Sequence, residues 1–226
     1  MSLILIIDTC GDNAFVCLSR EGTIIAKQEN TIQNQHAAFI HPAIEILFKN
    51  ANVSIQDIDA VAVVNGPGSY TGLRVGLSSA KGICYSINKP LILINTLYLM
   101  AMGLRNHYLK NNIAKGNELF CPLIDARRME VYTGIYDIDL KEVLQNTNLI
   151  IDKESFSNYS TNHLMVFGGS GSLKVMNCID NKNCLFSDSS DYAEEACWIA
   201  SERFKNNEFD SLIYSEPFYL KEFYSK

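Results

Sequence analysis

The chain has 226 residues, 47% of them hydrophobic and 19% charged, with a formal net charge of −6. That balance excludes wholesale disorder, and at this length roughly 70% of the unfolded chain's surface is buried, enough for one large domain or two modest ones. It also disfavours a protein that grips a polynucleotide backbone alone, which needs a basic footprint.

Residues 3–7 (LILII) form an apolar run suited to a strand buried on both faces. The run stops at Asp8 and no basic residue precedes it, so it reads as a strand rather than a leader or a membrane span. AFVCLSR and TIIAKQE flank Glu21-Gly22 and predict a hairpin. Across 35–51, Phe39, Ile40, Ala43, Ile44, Leu47, Phe48 and Ala51 recur at helical steps. AVAVVN (60–65) predicts a buried strand, 71–87 a helix, 90–95 a strand and 96–108 a helix. The polar stretch Lys110–Asn117 is the candidate linker. Strands then follow at ELFCPLID (118–125), MEVYTGIYD, 142–151 and LMVF, the last entering a glycine-serine loop. Residues 191–204 predict an amphipathic helix, and the aromatic tail 214–224 is extended and broken by Pro217.

The two halves echo each other. Each has an apolar strand ending in Asp (Asp8, Asp125), a second strand, and later a strand that enters a glycine loop and a helix. The echo predicts two related lobes, 1–109 and 110–226, with the last helix and tail free to pack back on the first. Matching Asp-bearing turns and glycine loops are a common setting for ligands. The seven cysteines are odd in number, lack C-x-x-C spacing and sit in apolar stretches. They read as reduced small hydrophobes in the cytoplasm.

Asn65-Gly66-Pro67-Gly68-Ser69-Tyr70-Thr71-Gly72-Leu73-Arg74-Val75-Gly76 is the most informative segment. Its glycines allow close backbone approach, Ser69 or Thr71 can cap the helix, and Arg74 adds charge in the first turn. No lysine makes it a P-loop, and its glycine spacing is not the dinucleotide fingerprint. Two readings stay open: a structural turn that thins one helix face, and an anion site. Asp8 and Asp125 could hold a metal or a nucleotide's magnesium, or simply cap turns. After Asp125, alternation sends Arg128 and Glu130 to one face and Arg127 to the other, either toward a ligand or into an ion-paired hairpin. His36 and His41, five residues apart on a helix, diverge by about 140° and make poor co-ligands. No hydrolase signature stands out.

Three segments together carry a resemblance. IIDTC, NGPGSYTGLRVGLSSAKGICYSINKP and LIDARRMEVYTGIYD, with the late EPFYLKE, resemble the TsaB (YeaZ) family of the glycoprotease-like, peptidase M22-like group. Lys221 stands where that family's tail carries Arg. The resemblance implies an α/β, actin/Hsp70/sugar-kinase-like (ASKHA) duplicated fold, each lobe a mixed sheet flanked by helices. It implies a non-catalytic subunit that binds TsaD, with TsaE, in bacterial tRNA threonylcarbamoyladenosine synthesis. It further implies self-association as a homodimer, indirect contact with tRNA, and a nucleotide (ATP or ADP) at the junction with TsaD. TsaD-like relatives carry two metal-binding histidines on the helix after the PLILIN-type strand, whereas this chain reads Asn95-Thr96-Leu97-Tyr98-Leu99-Met100-Ala101-Met102. No metal site and no catalytic residue are therefore expected. The family pairs through its first two helices, which points to His36, Gly76, Ser79, Ala80 and Ile83 as a partner face.

Overall fold

The computed structural model describes residues 1–32, 35–179, 182–187 and 191–221. The chain forms two compact units. The first comprises Met1–Thr96 with Ala193–Phe218, and the second comprises Leu97–Tyr192 with Tyr219–Lys226. Residues 222–224 of the expected extended tail lie outside the described residues.

In the first unit, β1 (Leu3–Asp8), β2 (Ala14–Arg20) and β3 (Thr23–Asn30) run antiparallel. They are followed by α1 (His36–Ala51), β4 (Ala60–Gly66), α2 (Tyr70–Ile87) and β5 (Leu91–Asn95). The sheet order is β3-β2-β1-β4-β5, with β1, β4 and β5 parallel. Parallel strands need cover on both faces, which is why LILII is apolar at every position. Leu3, Leu5, Ile7, Val16, Leu18, Val61 and Val63 form one core with Ile40, Ile44 and Leu47 of α1 and Leu77, Ala80 and Cys84 of α2. The other face is covered by α6 (Ala193–Lys205), which returns from the far end of the sequence to pack on β1, β3 and β5. Asp210 finishes the β5 edge: its N–H donates to Leu91 O at 2.9 Å and its carboxylate accepts from Leu93 N–H at 2.7 Å.

The second unit repeats the plan. α3 (Thr96–Asn111) leads in, then β6 (Glu118–Asp125), β7 (Glu130–Tyr136), β8 (Glu142–Ile150), α4 (Ser157–Ser160), β9 (Leu164–Gly168), α5 (Ser172–Met176) and β10 (Cys184–Ser187). The order β10-β9-β6-β7-β8 mirrors the first sheet strand for strand. Each unit is thus a mixed five-stranded sheet accompanied by helices, with equivalent strands in equivalent places. The second copy keeps the strands and shrinks the helices: α4 and α5 have 4 and 5 residues, where α1 and α2 have 16 and 18. Aromatic residues fill the space instead, with Phe167 edge-on to Phe156 and stacked on Phe186.

Three details differ from the sequence reading. The helix expected at 96–108 continues to Asn111. The short strand β10, the short helix α4 and a 3-10 turn at Ile55–Asp57 appear where none was expected. Arg127 and Arg128 lie in a turn rather than on an alternating strand, with φ of 70° and 50°. No described helix is long and apolar enough to cross a membrane.

Candidate functional site

The end of β1 and the glycine loop before α2 fit into each other. The Ser69 N–H donates to Cys10 O at 2.8 Å, and the Thr9 hydroxyl donates to Gly72 O at 2.7 Å. A Cβ on Gly68 would come within 2.5 Å of Cys10 O, and one on Gly72 would overlap Thr9 O outright. A Cβ on Gly76 would collide with the Thr9 hydroxyl. Gly66 has φ of 118° and faces Phe218 O, while the Phe218 N–H donates to Asn65 O at 2.8 Å; the Gly66–Pro67 peptide is cis. The glycines thus serve close approach of the chain's own backbone. The helix N-terminus is also partly used: Ser69 Oγ accepts from Gly72 N–H at 3.3 Å, and Ser69 O accepts from Leu73 N–H at 2.8 Å. Ser69, Thr71 and Arg74 remain on the surface, the Arg74 guanidinium 3.9 Å from the Tyr70 ring centroid.

Asp8 sits beneath this loop, only 8% exposed, and accepts from Cys10 N–H at 2.9 Å. Burial pushes its carboxyl above the usual value against that hydrogen bond. Burial and the Asp8 charge push the Cys10 thiol well up, so it is no ready nucleophile. His36 Nε2 is 3.0 Å from Gly11 O, while His36 Nδ1 and Thr96 Oγ1 are buried with no hydrogen-bond partner among the described residues. A buried acid kept despite its desolvation cost is a functional-site signal. The raised folded value means the carboxylate destabilises the fold at neutral pH, and the penalty fades as pH falls through that value. Asp8→Asn retains the acceptor for Cys10 and sheds the charge. It is expected to hold or raise stability at pH 7 by up to about 1 kcal/mol, measured by urea unfolding; a clear loss would show that the charge itself is structural.

In the second unit Asp125 is partly exposed and held from several sides. Its carboxylate accepts from Lys174 Nζ at 2.5 Å and from Arg127 N–H at 2.6 Å, and its own N–H donates to Ser170 Oγ at 3.0 Å. Lys174 also reaches Glu130 O at 3.1 Å, and Lys221 Nζ pairs with Glu130 at 2.6 Å. Lys174 holds the Asp125 carboxyl below its usual value against burial, and Lys221 does the same for Glu130. Arg127 and Arg128 are exposed and make no ion pair among the described residues. The acids here are closed by lysines that sequence reading had not assigned to them. Lys174 lies 49 residues from Asp125, with no local signal linking the pair.

The expected partner face is only partly available. Gly76 and Ala80 turn inward against Thr9 and the unit's own core, and His36 is buried at the β1 turn. Ser79 and Ile83 are half-buried, with Ser79 Oγ 3.4 Å from His41 Nε2 of α1. The small residues therefore thin α2 for its own sheet. The outward stripe is Thr71, Arg74, Ser78, Gly82 and Tyr85, with Tyr85 82% exposed.

The family model described as TsaD, tRNA N6-adenosine threonylcarbamoyltransferase, matches residues 23–212. The chain belongs to that family. Within it, the likeness is to TsaB/YeaZ. The tRNA threonylcarbamoyladenosine biosynthesis protein TsaB of Bacillus subtilis is 32% identical over 151 residues, 66% of this chain and 62% of the relative. TsaB of Escherichia coli is 35% identical over 136 residues, 60% of this chain and 55% of the relative. The match thus spans less than two thirds of those relatives' length. A Pseudomonas aeruginosa structure described as similar to peptidase YEAZ shares the fold at a TM-score of 0.81 and 24% identity, covering 98% of this chain and 100% of that one. Among the described residues, no group of three His, Cys, Asp or Glu side chains could hold a metal ion.

Proposed function

We propose that the chain is the non-catalytic activating subunit of the bacterial complex that transfers threonylcarbamoyl from its adenylate to N6 of the adenosine next to the anticodon in tRNA. It acts in the cytoplasm by binding TsaD, with TsaE, and meets tRNA through the complex. The observation that carries this reading is the filled glycine loop: the Thr9–Cys10 backbone occupies the space that a phosphate-cradling turn would leave open. The absence of histidine from Asn95–Met102 supports the same reading.

The outward stripe of α2 is the surface we assign to pairing, with TsaD or with a second copy when the chain is alone. Ser78→Arg combined with Tyr85→Ala is expected to weaken TsaD pull-down at least tenfold, while circular dichroism stays unchanged. Undiminished TsaD capture and self-association would refute this surface. In the assembled complex we place a nucleotide, ATP or ADP, at the junction with TsaD.

A second reading is a stand-alone small-molecule kinase or nucleotidase, favoured by the buried Asp8 at the end of β1. Nucleotide turnover by the purified chain, with and without TsaD, separates the two. Turnover only with TsaD supports the first reading; robust turnover by the chain alone supports the second.

A further inference from the structure

Two sulfur atoms distant in sequence meet inside the first unit. Cys17 in β2 and Cys197 in α6 are 180 residues apart, yet their Sγ atoms lie 3.5 Å apart and both residues are fully buried. Alternation explains the placement. Val16 and Leu18 belong to the core shared with α1 and α2, so Cys17 faces the opposite side, which α6 covers. Cys197 arrives on the buried stripe of α6 with Ala193, Ala196 and Ala200, whose small side chains bring the helix close to the sheet. The Cys17 thiol beside it outweighs burial and, with Lys27, holds the Cys197 thiol below its usual value. Simple packing needs no second sulfur at this spot, and nothing in the proposed role in tRNA modification uses it.

We propose that Cys17 and Cys197 are an oxidation site and form a reversible disulfide when the protein meets hydrogen peroxide. The Cys197 sulfur attacks the peroxide, becoming a sulfenic acid as the first water leaves. The Cys17 sulfur then displaces the hydroxyl, forming the S–S bond and releasing the second water. Two electrons pass from the two thiols to one peroxide. Closing from 3.5 Å to a bond of about 2.05 Å requires α6 to approach β2 by only about 1.5 Å. The product ties α6, which opens the returning segment of the first unit, to the second strand of that unit.

The test uses the full chain. It is treated with hydrogen peroxide, unreacted thiols are alkylated under denaturing conditions, and peptides are mapped without reduction. The expected result is a Cys17–Cys197 crosslinked peptide, reversed by dithiothreitol, and a Tm raised by several degrees. Cys17→Ser and Cys197→Ala should each abolish both changes. Recovery of Cys17 and Cys197 as alkylated thiols after peroxide would overturn the proposal, as would Cys197 sulfinic acid beside a free Cys17. The map of the unsubstituted chain decides the matter even if a substituted chain fails to fold.

Discussion

Gly72→Ala is expected to lower stability by about 3 kcal/mol and Tm by roughly 10 °C, the largest effect of any single methyl group in the first unit. The added Cβ would overlap Thr9 O. That oxygen belongs to the turn leaving β1, whose strand is paired on both sides with β2 and β4. The helix cannot retreat either, because the Thr9 hydroxyl donates to the Gly72 carbonyl. Gly82 is the control. It lies on the same helix with nothing within 4 Å of its would-be Cβ. Gly82→Ala should therefore stabilise by up to about 1 kcal/mol through helix propensity alone. Thermal unfolding of both variants checks the pair, and equal Tm values would show that the close approach is not what constrains Gly72.

The second large effect is expected at Glu118, the first residue of β6. Its buried carboxylate accepts from Lys115 N–H at 2.7 Å, Gly116 N–H at 2.9 Å and the Tyr108 hydroxyl at 3.1 Å. One side chain thus fastens the turn at 115–117 and the end of α3. Burial pushes the carboxyl up, but these donors outweigh it and hold the value below the usual 4.5. The stabilisation is therefore complete above about pH 4.5 and drains as pH falls through the lower folded value. Glu118→Gln cannot accept at both oxygens and leaves a main-chain donor facing an amide N–H. It is expected to cost about 2–3 kcal/mol near pH 7. The gap between wild type and variant, from urea midpoints, should be flat from neutral pH to about pH 5 and narrow in more acidic solution. A gap that stays constant into acid would remove the ionised carboxylate from the explanation.

The strands and long helices were legible because their signals are local. LILIID is apolar at every position, and α1 repeats its apolar residues at helical steps. The duplication was legible from two aspartates ending apolar strands. The orientation of the small residues on α2 was not. Gly76 and Ala80 satisfy the pattern for a helix partner as well as for the helix's own sheet, and only the position of Thr9 distinguishes the two. The turn at Arg127–Arg128 was also hidden, since two arginines with positive φ contradict their ordinary backbone preference. Lys174 and Lys221 came to Asp125 and Glu130 across 49 and 91 residues, distances at which sequence spacing carries no geometric information.

The chain order of the first unit has a consequence for its biosynthesis. The strands β1 to β5 are made first, but the helix that covers one face of their sheet is made only after Leu97–Tyr192, the larger part of the second unit. Until residue 205 has left the ribosome, the side of β1, β3 and β5 that awaits α6 lacks that helix, and the β5 edge lacks Asp210. The nascent first unit must therefore wait, with apolar surface and an unpaired strand edge open to other chains, while its neighbour folds. Its completion requires α6 to return across the intervening Leu97–Tyr192, a long-range closure of the kind that slows folding.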